Sequence, residues 1–229
     1  MGRILNDNVS KDISSLLDRL IDQGTKRQEY AQTMYELGNK LGDLILKRTT
    51  GSDRITLACT VEDADYLGKG IIDVLEKKGK KVFLTVFWNE RFKPNIENGV
   101  SVAPIIKKFH EEGYKDIPVL IIIKSIISGS CVVRTNLTDL IGESHPKQIL
   151  VVAPVLLEGA TESLEREFED NVSRKFEYLY FAIDDQKNQD GLVDPGIGGD
   201  VYKRLGFEGQ KMKNKFVPNI VKERRYKHL

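Results

Sequence analysis

The chain has 229 residues, 35 of them basic and 34 acidic, for a net charge of +1. That balance gives no global attraction to nucleic acid or to a membrane surface, and the length suits one compact domain with a decorated end better than two domains. Hydrophobic residues make up 40% and charged residues 30%, as in a globular protein that buries a core without disulfides or metal. The two cysteines, Cys59 and Cys131, are too few for a disulfide framework, and no Cys/His cluster has zinc-site spacing. With no secretory signal in the sequence, a reducing cytoplasm is the expected compartment.

In chain order, Asp12 to Ile21 and Lys26 to Leu46 read as helices. In the second, Tyr30, Met34, Leu37, Leu41 and Leu44 recur at helical spacing, and Thr25 is placed to cap it. Past Gly51 the pattern alternates. Arg54 to Cys59 reads as a strand, Asp65 to Lys77 as a helix, and Lys81 to Phe87 as a strand. Phe92 to Val102, with Pro94, Asn95, Asn98 and Gly99, reads as a loop, and Ala103 to Glu112 as a helix. Val119 to Ile123 is an unbroken apolar run. It is too short to cross a bilayer and matches a parallel strand covered on both faces. A turn at Gly129 leads into a helix over Val132 to Ile141. Then come a strand over Gln148 to Ala153, a helix over Glu158 to Phe168 and a strand over Tyr178 to Ile183. Such alternation predicts an α/β fold with a central, mostly parallel sheet and helices on both faces. Ligands of such sheets bind outside the carboxyl ends of the strands.

Two segments near those ends carry chemistry. The first, Lys124 to Cys131, joins the apolar strand to a helix through Ser128, Gly129 and Ser130. A small-residue turn that opens a helix aims backbone N–H groups and the positive end of the helix dipole at one spot, which suits a phosphate. The same residues also suit a plain strand–turn–helix. The second, Ala182 to Gly198, leaves a strand and enters a turn with Gly191, Gly196 and Gly198, stiffened by Pro195. It is either a simple loop or a place where backbone meets the edge of a base.

The second segment resembles the uracil phosphoribosyltransferases, members of the type I phosphoribosyltransferases. Their terminal stretch A-I-D-x-x-x-N-x-x-G-x-x-x-P-G-x-G is matched without a gap by Ala182, Ile183, Asp184, Asn188, Gly191, Pro195, Gly196 and Gly198. The family's phosphate loop, D-P-M-L-A-T-G-G-S, aligns with Ile123 to Cys131, and its V-A-A-P-E-G with Val151 to Pro154 and then Glu158 and Gly159. The resemblance runs to about Gly206. It implies that Ser128, Gly129, Ser130 and Cys131 hold the 5-phosphate of a ribose. It further implies that the turn around Asp184, Gly191, Val193, Pro195, Gly196, Gly198 and Asp200 holds a pyrimidine base. The implied ligands are a base, a nucleotide or phosphoribosyl diphosphate, with Mg²⁺ as the implied ion and a homodimer as the implied assembly.

The departures from the family share one chemistry. Ile123 stands where the phosphate loop has an acid. Cys59 stands where the family has the arginine of R-A-G, and Trp88-Asn89-Glu90 where it has Y-R-D. The acid of G-L-G-D falls on Gly199, with Asp200 one step on. New charges stand at the same rim: Glu62, Asp63 and Asp65 after the first strand, Arg91 after the second, and Lys124 after the third. Two readings of Glu62 and Asp63 stay open. They cap the following helix, or they form with Arg91 and Lys124 a remodelled catalytic site in which the acids bind Mg²⁺ or a ligand hydroxyl and Lys124 meets a phosphate. Trp88 either anchors the core or stacks on a base. His110 and His145 read as surface residues, and the two cysteines as small packing groups.

The expected organisation is an N-terminal helical segment over 1–50, a phosphoribosyltransferase-like core over 51–209 and a basic tail over 210–229. The tail holds Lys211, Lys213, Lys215, Lys222, Arg224, Arg225 and Lys227 against Glu223. It reads as a solvated or subunit-docking segment, or as one that touches a nucleic-acid backbone. The expected function is binding of a pyrimidine base or nucleotide, with or without phosphoribosyl transfer. The alternative is a retired enzyme that serves as a nucleotide sensor or as a subunit of a larger assembly.

Overall fold

A computed structural model describes residues 2–7, 9–92 and 102–226. The chain opens with β1 (Ile4–Leu5), α1 (Lys11–Ile21) and α2 (Arg27–Arg48), followed by β2 (Arg54–Thr60), a π-helical turn (Ala64–Gly68) and α3 (Lys69–Lys77). Next come β3 (Lys81–Asn89), β4 (Ile105–His110), β5 (Val119–Ile123), β6 (Ile126–Ile127) and α4 (Cys131–Glu143). Then follow β7 (Gln148–Val152), β8 (Val155–Leu157), α5 (Ala160–Glu165), α6 (Asp170–Ser173), β9 (Phe176–Leu179) and β10 (Ala182–Asp184). A short hairpin, β11 (Gln186–Lys187) with β12 (Val193–Asp194), precedes α7 (Val201–Arg204), α8 (Gln210–Lys215) and α9 (Asn219–Tyr226).

The main sheet has the order β4-β3-β2-β5-β7-β9. All its neighbours pair in parallel except β4, which runs antiparallel along the edge of β3. Side chains of a strand alternate between faces, and here they divide into two cores. Ile55, Leu57, Leu84, Val86, Ile121, Ile123, Leu150 and Val152 pack with α1, α2 and α3 on one face. Phe83, Phe87, Leu120, Ile122, Ile149 and Val151 pack with Val133, Leu137 and Leu140 of α4 and Leu164 of α5 on the other. This is why Val119 to Ile123 is apolar at every position. The α/β class with a mostly parallel sheet and helices on both faces is therefore the observed one.

Helix α2 crosses the π turn and α3 at very short range. A methyl group at Gly38 would lie 2.4 Å from the Leu67 carbonyl oxygen, and one at Gly70 would lie 2.2 Å from that of Tyr35. Only hydrogen fits at those two positions.

Several expectations need correction. Residues 105–110 form β4, not a helix: burial alternates along Ile105 to Lys108 with the period of a strand, and the unpaired edge of β3 supplies the partner. Thr25 does not cap α2; its hydroxyl donates to the Arg19 carbonyl at 2.8 Å, and Lys26 is the residue before the helix. The helix expected over Glu158 to Phe168 is the shorter α5. His110 is half-buried, not fully exposed as a surface reading expects. It stacks on Tyr114 with centroids 4.3 Å apart and meets Phe87 edge-on, and burial lowers its pKa. Trp88 is a core anchor, fully buried, whose indole N–H donates to the Phe216 carbonyl at 2.8 Å. Of the loop expected over Phe92 to Val102, residues 93–101 lie outside the described residues; its ends, Phe92 and Val102, bridge antiparallel.

The basic C-terminal stretch packs on the core. Ile220 and Val221 are buried, and the first N–H groups of α9 donate to the Asp65 carboxylate. A solvated reading fails for two of its cations. Arg224 is buried against Glu111 and Glu76, and Lys213 donates from a buried position to the Asn89 carbonyl.

Candidate functional site

Three parallel strands share one device at their carboxyl ends. Each runs on for two residues and continues as a short strand of a second sheet, of order β1-β10-β8-β6. Thus β5 leads through Lys124-Ser125 into β6, β7 through Ala153-Pro154 into β8, and β9 through Tyr180-Phe181 into β10. The expected single strand over Tyr178 to Ile183 is therefore two strands in two sheets. Pro154 has no N–H for the first ladder, and its carbonyl accepts from Phe181 and Ala182 across the bend. The small sheet carries the Ser128–Ser130 turn on one side and the glycine-rich turn on the other.

Between those turns lie two joined clefts of about 340 and 120 Å³, which share Arg91, Ser128 and Gly191. The larger is lined by Ser128, Gly129, Ser130 and Cys131, and by Arg91, Arg134 and Lys187, with Glu167 as its one carboxylate among the described residues. Helix α4 opens at this wall. The Ser130 side chain makes no cap bond to its first N–H groups, and the helix dipole places a partial positive charge at that end. A methyl group at Gly129 would meet nothing within 4 Å, so that position faces open space. The Ser130 hydroxyl and the Arg134 guanidinium both donate to Glu167, at 3.0 and 2.8 Å.

The smaller cleft is lined by Lys124, Ser125, Gly191, Val193, Asp200 and Tyr202, among others. The glycine-rich turn beside it is built internally. The Asn188 side chain accepts from the N–H groups of Asp190 and Leu192, closing the β11–β12 hairpin. Asp184 is buried and pairs through both oxygens with Arg3, at 2.9 and 2.8 Å; it also accepts from the Gly196 N–H at 2.8 Å. A methyl group at Gly198 would lie 2.0 Å from the Leu20 carbonyl oxygen. Neither Gly196 nor Gly198 lines a cleft, and both have positive φ. The Asp194–Pro195 peptide is cis. Asp200 caps α7 by accepting from the Tyr202 N–H. Of the residues expected around a base, then, Gly191, Val193 and Asp200 line the space, while Asp184, Pro195, Gly196 and Gly198 shape the turn behind it.

Under the smaller cleft sits a buried charge cluster. Glu62 is 3% and Asp63 1% exposed. The Lys124 ammonium donates to both, at 2.8 and 2.9 Å. Asp63 also accepts from the Thr60 hydroxyl at 2.8 Å and the Ser125 N–H at 3.2 Å, and Glu62 from the Tyr202 hydroxyl at 3.4 Å. The π turn follows directly, its Gly68 N–H reaching back to the Asp63 carbonyl at 2.8 Å. Burial works against the charge on Glu62, but Lys124 and Lys213 outweigh it and hold that carboxyl at about 2. Burial pushes Asp63 up, with Lys124 opposing. For Lys124 burial favours the neutral amine, yet the two acids prevail and raise its pKa. Two carboxylates thus face Lys124, with the buried Lys213 nearby.

The sequence-predicted residues are therefore brought together, but in two tiers. Arg91 and the 128–131 turn stand at the cleft surface. Lys124 lines the smaller cleft while its charge is spent on Glu62 and Asp63 beneath it. Asp65 leaves the group and serves α9. Cys59 and Ile123 are buried, and burial first, then the nearby acids, raises the Cys59 thiol. Asn89 is buried and pairs with Asn136 through two bonds, at 2.8 and 3.1 Å. The sequence reading missed Arg134, Lys187 and Glu167. Arg134 lies one helical turn past Ser130, a spacing from which its approach to the phosphate turn could have been read.

No family model and no curated protein matches this chain. Among solved structures, the AQ2163 protein from Aquifex aeolicus is 15% identical over 90% of this chain and 99% of its own, with a TM-score of 0.69. That likeness is one of fold. The hypoxanthine-guanine phosphoribosyl transferase of L. donovani is 9% identical over 67% of this chain and 77% of its own, with a TM-score of 0.42. A hypoxanthine phosphoribosyltransferase from Staphylococcus aureus is 11% identical over 64% of this chain and 72% of its own, with a TM-score of 0.41. Likeness at the level of these last two fixes neither chemistry nor substrate. Among the described residues, no helix is long and apolar enough to cross a membrane.

Proposed function

We propose that this chain binds a pyrimidine nucleotide, with the phosphate in the larger cleft and the base against the glycine-rich turn, and that it transfers phosphoribosyl groups weakly or not at all. The observation that carries this is the continuity of the two clefts through Arg91, Ser128 and Gly191. A cation-rich end beside the opening of a helix suits a phosphate. A smaller end walled by Gly191, Leu192 and Val193 suits a flat ring. The order of the main sheet, and the likeness of Ala182 to Gly198 to uracil phosphoribosyltransferases, support a type I phosphoribosyltransferase-like fold and a pyrimidine over other bases.

The charge cluster argues against a working donor site. A diphosphate needs cations free to meet it, and the Lys124 ammonium already serves Glu62 and Asp63. The same pairing keeps Lys124 protonated, so it has no lone pair with which to act as a nucleophile. Mg²⁺ fits poorly. The acids that could help hold it are turned to Lys124. No step is assigned to a metal. The second reading, a retired nucleotide sensor or a subunit of a larger assembly, draws on this same cluster. A homodimer, inferred from the family resemblance, goes with either.

Calorimetry with UMP, uracil and phosphoribosyl diphosphate, each with and without Mg²⁺, tests the proposal. UMP should bind best and without need of Mg²⁺, and pyrophosphate release from uracil plus phosphoribosyl diphosphate should be negligible. Tight, Mg²⁺-dependent binding of the diphosphate with rapid UMP formation would refute it. Glu62, Asp63, Arg91 and Lys124 would then be the residues to substitute.

A further inference from the structure

In the larger cleft the donors best placed for a phosphate are already occupied from within. Glu167 sits on the turn that follows α5, so it comes from a different element than its partners. One of its carboxylate oxygens accepts from the Ser130 hydroxyl at 3.0 Å and the other from the Arg134 guanidinium at 2.8 Å. Helical side chains lean toward the N-terminus, so Arg134 reaches back over the first turn of α4 to the Ser128–Ser130 loop. The contact is also accessible: the side chains of Arg134 and Glu167 are 30% and 32% exposed. A carboxylate thus spans a hydroxyl and a guanidinium at the opening of α4, as a phosphate there would.

We infer that Arg134 is a further phosphate-binding residue, and that Glu167 is an internal stand-in for the phosphate which the ligand must displace. This rests on the larger cleft being the phosphate site. In the neighbouring smaller cleft, the buried Ser125 hydroxyl has no hydrogen-bond partner among the described residues. Displacement favours the ligand because the guanidinium fork meets a phosphate through two parallel N–H bonds, whereas Glu167 takes one. The contact also sets a threshold. A weakly held anion does not dislodge Glu167; a phosphate that is also anchored through its base does. On displacement the ion pair is exchanged, not lost, since Arg134 passes from carboxylate to phosphate.

The test is calorimetry of UMP, with inorganic phosphate as a second probe, on the full chain and on Glu167→Gln, Arg134→Met and the double variant. Each protein is first matched to the parent by circular dichroism. Glu167→Gln should bind both probes roughly tenfold tighter, Arg134→Met more weakly than the parent, and the gain should vanish in the double variant. Unchanged or weaker binding by Glu167→Gln overturns the inference. So does a gain that persists without Arg134, since that reports only the loss of a negative charge. Tighter phosphate binding by Glu167→Gln with no UMP binding in any variant supports the stand-in while sinking the nucleotide reading. Failure of every variant to bind either probe removes the phosphate site, and the inference with it.

Discussion

Replacing Lys124 by methionine keeps the length of the side chain and removes its charge. Glu62 and Asp63 would then face each other while almost wholly buried. The Thr60 hydroxyl and the Ser125 N–H would remain for Asp63, with the longer Tyr202 contact for Glu62. Removing one partner of a buried ion pair destabilises a protein by about 3–5 kcal/mol, because the charges left behind have lost their compensation. We expect that loss at pH 7.5. The variant can relieve it by taking up one proton, since two neighbouring buried carboxylates do not both stay ionised. Its folded-state pKa for that proton then lies above the unfolded value of about 4. A raised folded-state pKa contributes stability that is full below the unfolded pKa and is lost as pH rises through the folded one. Burial already raises Asp63 in the parent, so the deficit relative to it should widen by about 1.4 kcal/mol per pH unit between that pKa and the higher one of the variant. Urea unfolding, followed by the fluorescence of the single tryptophan, Trp88, at pH 5 and pH 7.5 measures both effects. A loss under about 1 kcal/mol at pH 7.5, or one equal at the two pH values, would show that the cluster is not held by Lys124 as described.

Other outcomes follow from the same geometry. Gly129→Val should leave the melting temperature near that of the parent yet abolish UMP binding by calorimetry, because its side chain would enter open space in the cleft. Gly198→Ala should do the reverse, lowering stability by roughly 2 kcal/mol or more in thermal melts, since its methyl group would collide with the Leu20 carbonyl at a positive φ. Arg224→Met should cost roughly 2 kcal/mol in urea unfolding by removing the buried guanidinium that Glu111 and Glu76 accept from, an outcome that a solvated C-terminal stretch would not give. Sedimentation at micromolar concentration should show a dimer; a pure monomer would count against the assembly inferred from the family resemblance.

The sequence by itself determined the layered architecture. Strong local patterns did so: the helical spacing in α2, the five apolar residues of β5, and small residues between a strand and a helix at 128–130. Each of these depends on a residue's neighbours along the chain. The likeness of Ala182 to Gly198 to a known motif also located the hairpin beside the cleft, although not which of its glycines are there for packing. Gly198 is explained only by Leu20, which lies far away in the chain. The strand β4 was read as a helix because its partner, the edge of β3, is a tertiary fact. The bends at Lys124, Pro154 and Phe181 were hidden for the same reason, since the second sheet exists only when three strand ends meet. The charges show the limit most clearly. Glu62, Asp63, Arg91, Lys124 and Arg134 are all visible in sequence, but a charge acts through whichever opposite charge folding puts beside it. Tertiary structure alone decided that Lys124 is spent on two buried acids and that Arg134 is held by Glu167, leaving a cleft whose open wall suits a phosphate.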